Sequence, residues 1–225
     1  MTTDLLDKAA AMRARQQRAT RVVFFIAGLG MASWAPLIPF AKAHLNAGEG
    51  ALGLLLFCIA AGAMAMMPFT GRLIRRFSYQ SLIACCCAAL CIILPLLMNL
   101  YAFSTLAVAL FCFGAVNGLL DVTMNAQAVI VEQQSGQAKM SGFHGFYSLG
   151  SIAGAGGVSL LLGAGLTPAV AATLVAAAVG LLTLVAFPHL LPKVEAANVK
   201  PAGVTQALKH PVVLLIALLC FFIFL

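Results

Sequence analysis

The chain has 225 residues, of which 63% are hydrophobic and 8% charged, with a formal net charge of +7. A soluble domain carries roughly 25% charged residues, so this chain lacks the polar surface to cover a water-soluble globule and its solvent is lipid. The basic excess is not a nucleic-acid footprint, because its positions follow the membrane topology described below.

Residues 1–21 are polar and basic, with an amphipathic look around Leu5, Leu6, Ala9 and Met12. They are expected to form a cytoplasmic N-terminal segment. The first apolar run covers about Val22 to Ala41. Ala41-Lys42-Ala43 mimics a signal-peptidase site, but the run is longer than the roughly 7–15 residues of a signal core. It is read as an uncleaved first span. Gly28, Gly30, Ser33, Trp34, Pro36 and Pro39 predict a bent helix there. Trp34 lies too deep for an interfacial anchor. Its indole either stacks on a substrate or fills the core.

The second span is about Ala51 to Phe69 and the third about Ser81 to Met98. The fourth is about Ser104 to Val131, the fifth about Ser141 to Gly163, and the sixth about Thr167 to Phe187. Lys8, Arg13, Arg15, Arg18 and Arg21 precede the first span; Arg72, Arg75 and Arg76 follow the second. Lys139 lies between the fourth and fifth, and Lys193, Lys200 and Lys209 follow the sixth. Twelve of the thirteen basic residues thus fall on one side, with Lys42 alone on the other. The positive-inside rule makes the crowded side cytoplasmic, N-terminus included.

Residues 188–211 contain Pro188, Pro192, Pro201 and Pro211 and read as a cytoplasmic linker. The run 212–225 is apolar to the last residue. At 1.5 Å per residue it covers about 21 Å of the roughly 30 Å hydrocarbon core. It is expected to be the truncated start of a seventh span, and residues 22–187 the six-span front half of a larger bundle.

Asp121 is the one acid deep within a span. It lies ten residues before Val131, about 15 Å in, near the bilayer midplane. A carboxylate there costs at least about 2.5–3.5 kcal/mol on insertion scales, so it is expected to face a cavity or a partner. Asn117, Asp121 and Asn125 recur every four residues and form one polar stripe. Glu132 extends it to the cytoplasmic edge. Gly114 and Gly118 on the same side leave room for a ligand or another backbone. The stripe is either a cavity wall with one titratable group or an interhelical hydrogen-bond cluster.

His144 opens the fifth span, with Ser148 one turn on. His144 either relays protons or sits satisfied at a helix interface. Gly150 to Gly154 is a G-x-x-x-G spacing, repeated from Ala153 to Gly157, and predicts close helix packing or a sliding contact. Cys58, Cys85, Cys86, Cys87, Cys91, Cys112 and Cys220 all fall in apolar runs and read as packing residues, with no zinc spacing and no disulfide framework. There is no paired intramembrane acid, no H-E-x-x-H, no G-x-S-x-G and no P-loop, which argues against an enzyme. No cofactor or metal is expected.

Two segments carry a family resemblance. Gly71-Arg72-Leu73-Ile74-Arg75-Arg76-Phe77-Ser78-Tyr79-Gln80, between spans two and three, resembles the Gly-x-Leu-Ala-Asp-Arg-x-Gly-Arg-Arg loop of the major facilitator superfamily. Gly71, Leu73 and Arg76 match, while Arg75 stands where the family has Asp and Ser78 where it has Gly. The stretch Gly114 to Glu132, with Ser141 to Gly150, is similar to the fucose-permease-like branch of that superfamily in bacterial inner membranes. The resemblance implies an all-α integral membrane fold of two inverted three-helix repeats, with spans one and four lining a central cavity. It implies the N-terminal half of a twelve-helix secondary transporter whose partners are lipid, a small-molecule substrate, protons and a missing C-terminal half. It assigns proton coupling to Asp121 and His144, and substrate contact to Trp34, Asn117, Asn125 and Ser148. Gly71, Arg72, Arg76 and Glu132 become a cytoplasmic gate, its latch either altered by Arg75 or supplied by Glu132 pairing to Arg72 or Arg76 in place of the family's Asp. A small polar solute such as a sugar is the implied cargo. Drug or metabolite efflux and a non-transporting truncated membrane protein are the alternatives.

Overall fold

The computed structural model describes residues 2–192, together with 211–212 and 214–215. Chain contacts divide it into one compact unit, Met1–Lys193, and a second, Val194–Leu225. The expected linker past residue 192 and most of the run 212–225 lie outside the described residues, although Pro211, Val212, Leu214 and Leu215 are helical.

The first unit is built of helices: α1 (Thr2–Ala32), α2 (Ile38–His44), α3 (Glu49–Arg76), α4 (Tyr79–Leu97), α5 (Phe103–Ser135), α6 (Met140–Gly163) and α7 (Pro168–Ala186). Among the described residues, six helical segments are long and apolar enough to cross a membrane, the first combining α1 and α2. The spans thus fall where hydropathy places them, but the helices overrun them. Residues 2–21 are helical and continuous with the first span. α5 runs for 33 residues, about 50 Å, well beyond the hydrocarbon core.

The first span breaks where its prolines require it. Pro36 cannot donate to the carbonyl one turn back, so α1 ends at Ala32 and a 3-10 turn, Ala35–Leu37, leads into α2. Ser33 Oγ donates to the Gly30 carbonyl at 2.8 Å, serving one acceptor near the break. The connections are short. Asn46 takes a left-handed conformation (φ 48°) in the turn before α3, and Lys42 pairs with Glu49 across it. Gly136 closes α5 with φ 64°, a position where a Cβ would be strained.

The resemblance placed residues 71–80 in a loop; the structure corrects this. Gly71, Arg72 and Arg76 lie in the last turns of α3, and only Phe77 and Ser78 separate it from α4. Nothing in 71–76 breaks a helix, and Ser78 caps the next one by accepting the Ser81 N–H at 3.0 Å.

Packing follows a pseudo-twofold pattern. α3 packs chiefly on α5 and α1 on α6, while α4 joins α5 and α7, and α7 joins α1. Glycines set both principal contacts. A Cβ at Gly62 would overlap the Phe111 carbonyl of α5, and one at Gly150 the Phe25 carbonyl of α1. Likewise a Cβ at Gly114 would overlap the Ile59 carbonyl, and one at Gly28 the Tyr147 carbonyl. An offset of 86 residues takes Phe25 and Gly28 to Phe111 and Gly114, and one of 88 takes Ile59 and Gly62 to Tyr147 and Gly150. The first two spans therefore match the fourth and fifth in register, and a repeat offset by three spans, an odd number of crossings, is an inverted one.

The apolar core lies along α1, α4, α5 and α7, filled by Phe24, Leu90, Leu94, Leu106, Leu110 and Phe113, with Phe143 of α6 stacked on Phe24 at 5.6 Å. Cys86 and Cys87 are buried in this core, and Cys91 Sγ lies 3.2 Å from the Ala176 carbonyl of α7. Of the described cysteines, Cys85 and Cys112 are exposed rather than packed.

Candidate functional site

A cleft of about 200 Å³ opens where α1, α3, α5 and α6 meet. Its walls are Ala27 and Met31 of α1, Ala63 and Met67 of α3, Asn117, Gly118, Asp121 and Met124 of α5, and Tyr147 of α6. The glycine contacts explain its position. They draw α1 onto α6 and α3 onto α5, so the four helices converge and their larger side chains surround the gap.

The stripe on α5 enters this cleft in part. Asn117 and Asp121 lie on its wall. Asn117 donates its amide to the Phe113 carbonyl at 2.8 Å, which fixes its rotamer on the helix. Asn125 is not on the cleft wall. It donates to the Asp121 carbonyl at 2.9 Å and to Asp121 Oδ1 at 3.2 Å, so it orients the carboxylate from one turn below. Gly114 and Gly118 accommodate backbone rather than ligand: a Cβ on Gly118 would stand 2.9 Å from Ala63 Cα.

Across the gap, α6 supplies His144 and Tyr147, both of which interact electrostatically with Asp121. His144 packs edge-on against Phe24, with ring centroids 5.3 Å apart. Ser148, also on α6, is exposed and donates to the His144 carbonyl at 3.2 Å. Tyr147 shares the cleft wall with Asp121, and His144 stands one turn before it on α6. Tyr147 was not singled out by the sequence reading. Its signal was available, since it is three residues past His144 and shares its side of the helix. The methionine lining was also missed, because Met31, Met67 and Met124 are on three helices and share no sequence spacing.

Trp34 and Glu132 differ from expectation. Trp34 is 4% exposed and belongs to the apolar core rather than the cleft. The break after Ala32 turns it inward, and its Nε1 has no hydrogen-bond partner. Glu132 does not pair with Arg72 or Arg76. Its Oε2 accepts the N–H groups of Lys139 at 2.5 Å and Met140 at 2.7 Å, capping the start of α6. The unsatisfied amides at a helix N-terminus attract a carboxylate strongly, and Glu132, in the last turn of α5, lies only seven and eight residues before them. Arg76 instead lies over the Phe77 ring, 5.6 Å from its centroid.

A buried polar cluster unremarked in the sequence lies at the same end of the bundle as Glu132. Gln127 is 1% exposed and donates to Thr20 Oγ1 at 3.0 Å, while its Oε1 accepts the Leu191 N–H at 3.2 Å. Gln80 donates to the Phe187 carbonyl at 2.8 Å. These bonds tie the exit from α7 to α1, α4 and α5.

A bundle of apolar helices with an internal repeat, converging on a cleft that holds one carboxylate and few other polar groups, is the architecture of a multi-pass membrane protein. The sequence comparisons agree. The description "Major Facilitator Superfamily" matches residues 22–225, and the chain belongs to that family. It is 52% identical over 177 residues to an uncharacterized MFS-type transporter of Yersinia pestis, covering 78% of this chain and 46% of that protein. It is 32% identical over 140 residues to an uncharacterized transporter of Sinorhizobium fredii, covering 60% of this chain and 36% of the relative. Over 136 residues it is 36% identical to the membrane protein MosC of Rhizobium meliloti, covering 58% and 32%. The chain thus spans less than half the length of the curated relatives it matches. No solved structure gives a significant match. This is a multi-pass membrane protein of a transporter family rather than an enzyme family.

Proposed function

We propose that the chain forms the N-terminal half of a proton-coupled transporter of the bacterial inner membrane, moving a small polar solute such as a sugar by alternating access. Its N-terminus is cytoplasmic, and its branch is the fucose-permease-like one. The observation that carries the reading is Asp121: the one acid in the interior of the spans lies on the cleft wall, held by Asn125 and facing His144 and Tyr147. A carboxylate near the midplane is costly when charged. Protonation removes that cost, so its charge state biases which side of the transporter is open. Asn117 contacts the solute from the same wall. His144 passes the proton between Asp121 and the cytoplasmic side. The second half, which these residues do not include, supplies the opposite wall.

A second reading, efflux of amphipathic drugs or metabolites, is favoured by one observation. Met31, Met67 and Met124 line the cleft, and thioethers adapt to varied apolar shapes.

The test is transport by the full-length protein in vesicles with an imposed proton gradient. Asp121→Asn is expected to abolish uphill accumulation while leaving downhill exchange. Undiminished accumulation overturns the coupling role. Uptake panels and resistance panels separate the two cargo readings.

A further inference from the structure

Two clefts adjoin where α1 passes the turn that follows α7. The outer, about 420 Å³, is lined by Arg15, Gln16, Pro188 and His189 among others. The inner, about 390 Å³, is lined by Arg15, Arg18, Val22, Val185 and His189 among others. Arg15 and His189 belong to both, so the two are one continuous groove. Among the described residues, no carboxylate lines either part. Arg15 and Arg18 are exposed there.

The groove changes character along its length. Arg15 and Arg18 precede Val22, the start of the apolar run, by seven and four residues. At 1.5 Å per residue this sets them about 10 Å and 6 Å outside the hydrocarbon edge, at headgroup depth. The inner end passes over Val22 and Ala186 to Val185, which is 62% exposed. Leu181, one turn up α7, is 65% exposed and continues the apolar track. The rim is fixed in advance, because Gln80 and Gln127 hold the Phe187–Leu191 backbone.

We propose that this groove binds an anionic phospholipid, with its phosphate on Arg15 and Arg18 beside His189 and an acyl chain along Val22, Val185 and Leu181. Guanidinium forks match phosphate oxygens geometrically, and basic pockets between helices on the cytoplasmic side recruit anionic headgroups. A soluble phosphate satisfies the cations alone. The lipid also covers apolar surface, so the groove distinguishes the two sources.

The experiment offers the purified full chain an equimolar mixture of phosphatidylglycerol and phosphatidylethanolamine in detergent, and reads retained lipid by native mass spectrometry. Phosphatidylglycerol is expected to be enriched on the wild type. R15Q/R18Q should lower that enrichment about tenfold or more. R15K/R18K should keep most of it, and R13Q/R75Q, which removes equal charge outside the groove, should keep all of it. Equal retention of both lipids by the wild type overturns the proposal. So does equal loss in R13Q/R75Q and R15Q/R18Q. Complete displacement by inorganic phosphate overturns it in favour of a soluble-anion site. If R15Q/R18Q misfolds, the wild-type preference and the two remaining variants still decide.

Discussion

At the scale of single residues, the polar groups within the spans divide by what they touch. Asp121 and Asn117 reach a cleft, whereas Gln127 and Thr20 reach only protein. Gln127→Leu removes both of its bonds and leaves the Leu191 N–H unpaired in a buried setting. That loss is expected to cost about 1–3 kcal/mol, read as a lowered melting temperature in detergent with substrate affinity unchanged. A loss of affinity without destabilisation would show that Gln127 belongs to the transport site instead. The position of Asp121 on a cleft was legible in the sequence because a lone acid amid apolar residues is costly against lipid and calls for a cavity or a partner. Gln127 was not, because an amide deep in a span fits equally as glue, as cavity wall or as lipid-facing noise. Trp34 stayed open between substrate stacking and core filling for a related reason: depth was computable, but the helix break that turns it into the core was not.

At the scale of the helices, small residues decide which faces meet. Sequence spacing alone offered two frames on α6, Gly150 to Gly154 and Ala153 to Gly157, with no basis for choosing. The structure selects the first: a Cβ at Gly150 or Gly154 would strike the Phe25 or Leu29 carbonyl of α1. Gly156 and Gly157 face open space. Gly114→Ala, which would strike the Ile59 carbonyl, is expected to destabilise by about 1–3 kcal/mol through overpacking. Gly157→Ala is expected to be neutral or slightly stabilising, since alanine favours helix and meets nothing. Thermal unfolding of the two variants side by side checks the assignment; equal effects would refute it. The helix boundaries were less legible. Hydropathy marks the lipid-exposed stretch, whereas α1 and α5 continue into polar sequence that can still make every backbone hydrogen bond.

At the scale of the whole unit, the basic residues and the repeat bear on the same orientation. If Lys42 alone lies outside, a cysteine placed there in a cysteine-free background should react with an impermeant thiol reagent in intact cells. One placed at Lys139 should react only after the membrane is opened. The reverse result would invert the topology and move the anionic-lipid groove to the other leaflet. Orientation could be argued from the sequence, because charge counts survive without coordinates. The register of the repeat could not, because Gly28 and Gly114 sit in otherwise dissimilar surroundings, and only their shared contact with a facing carbonyl pairs them.

That register has a consequence for the chemistry. The offset that carries Gly28 to Gly114 carries Ala35 to Asp121, so the twin of the acid is an alanine, set in the segment where the first span breaks. The two repeats share a scaffold and differ at the one position able to hold a charge. A bundle nearly related to itself by a twofold axis in the membrane plane has no intrinsic up or down. Placing a single carboxylate on one of two matched helices breaks that equivalence.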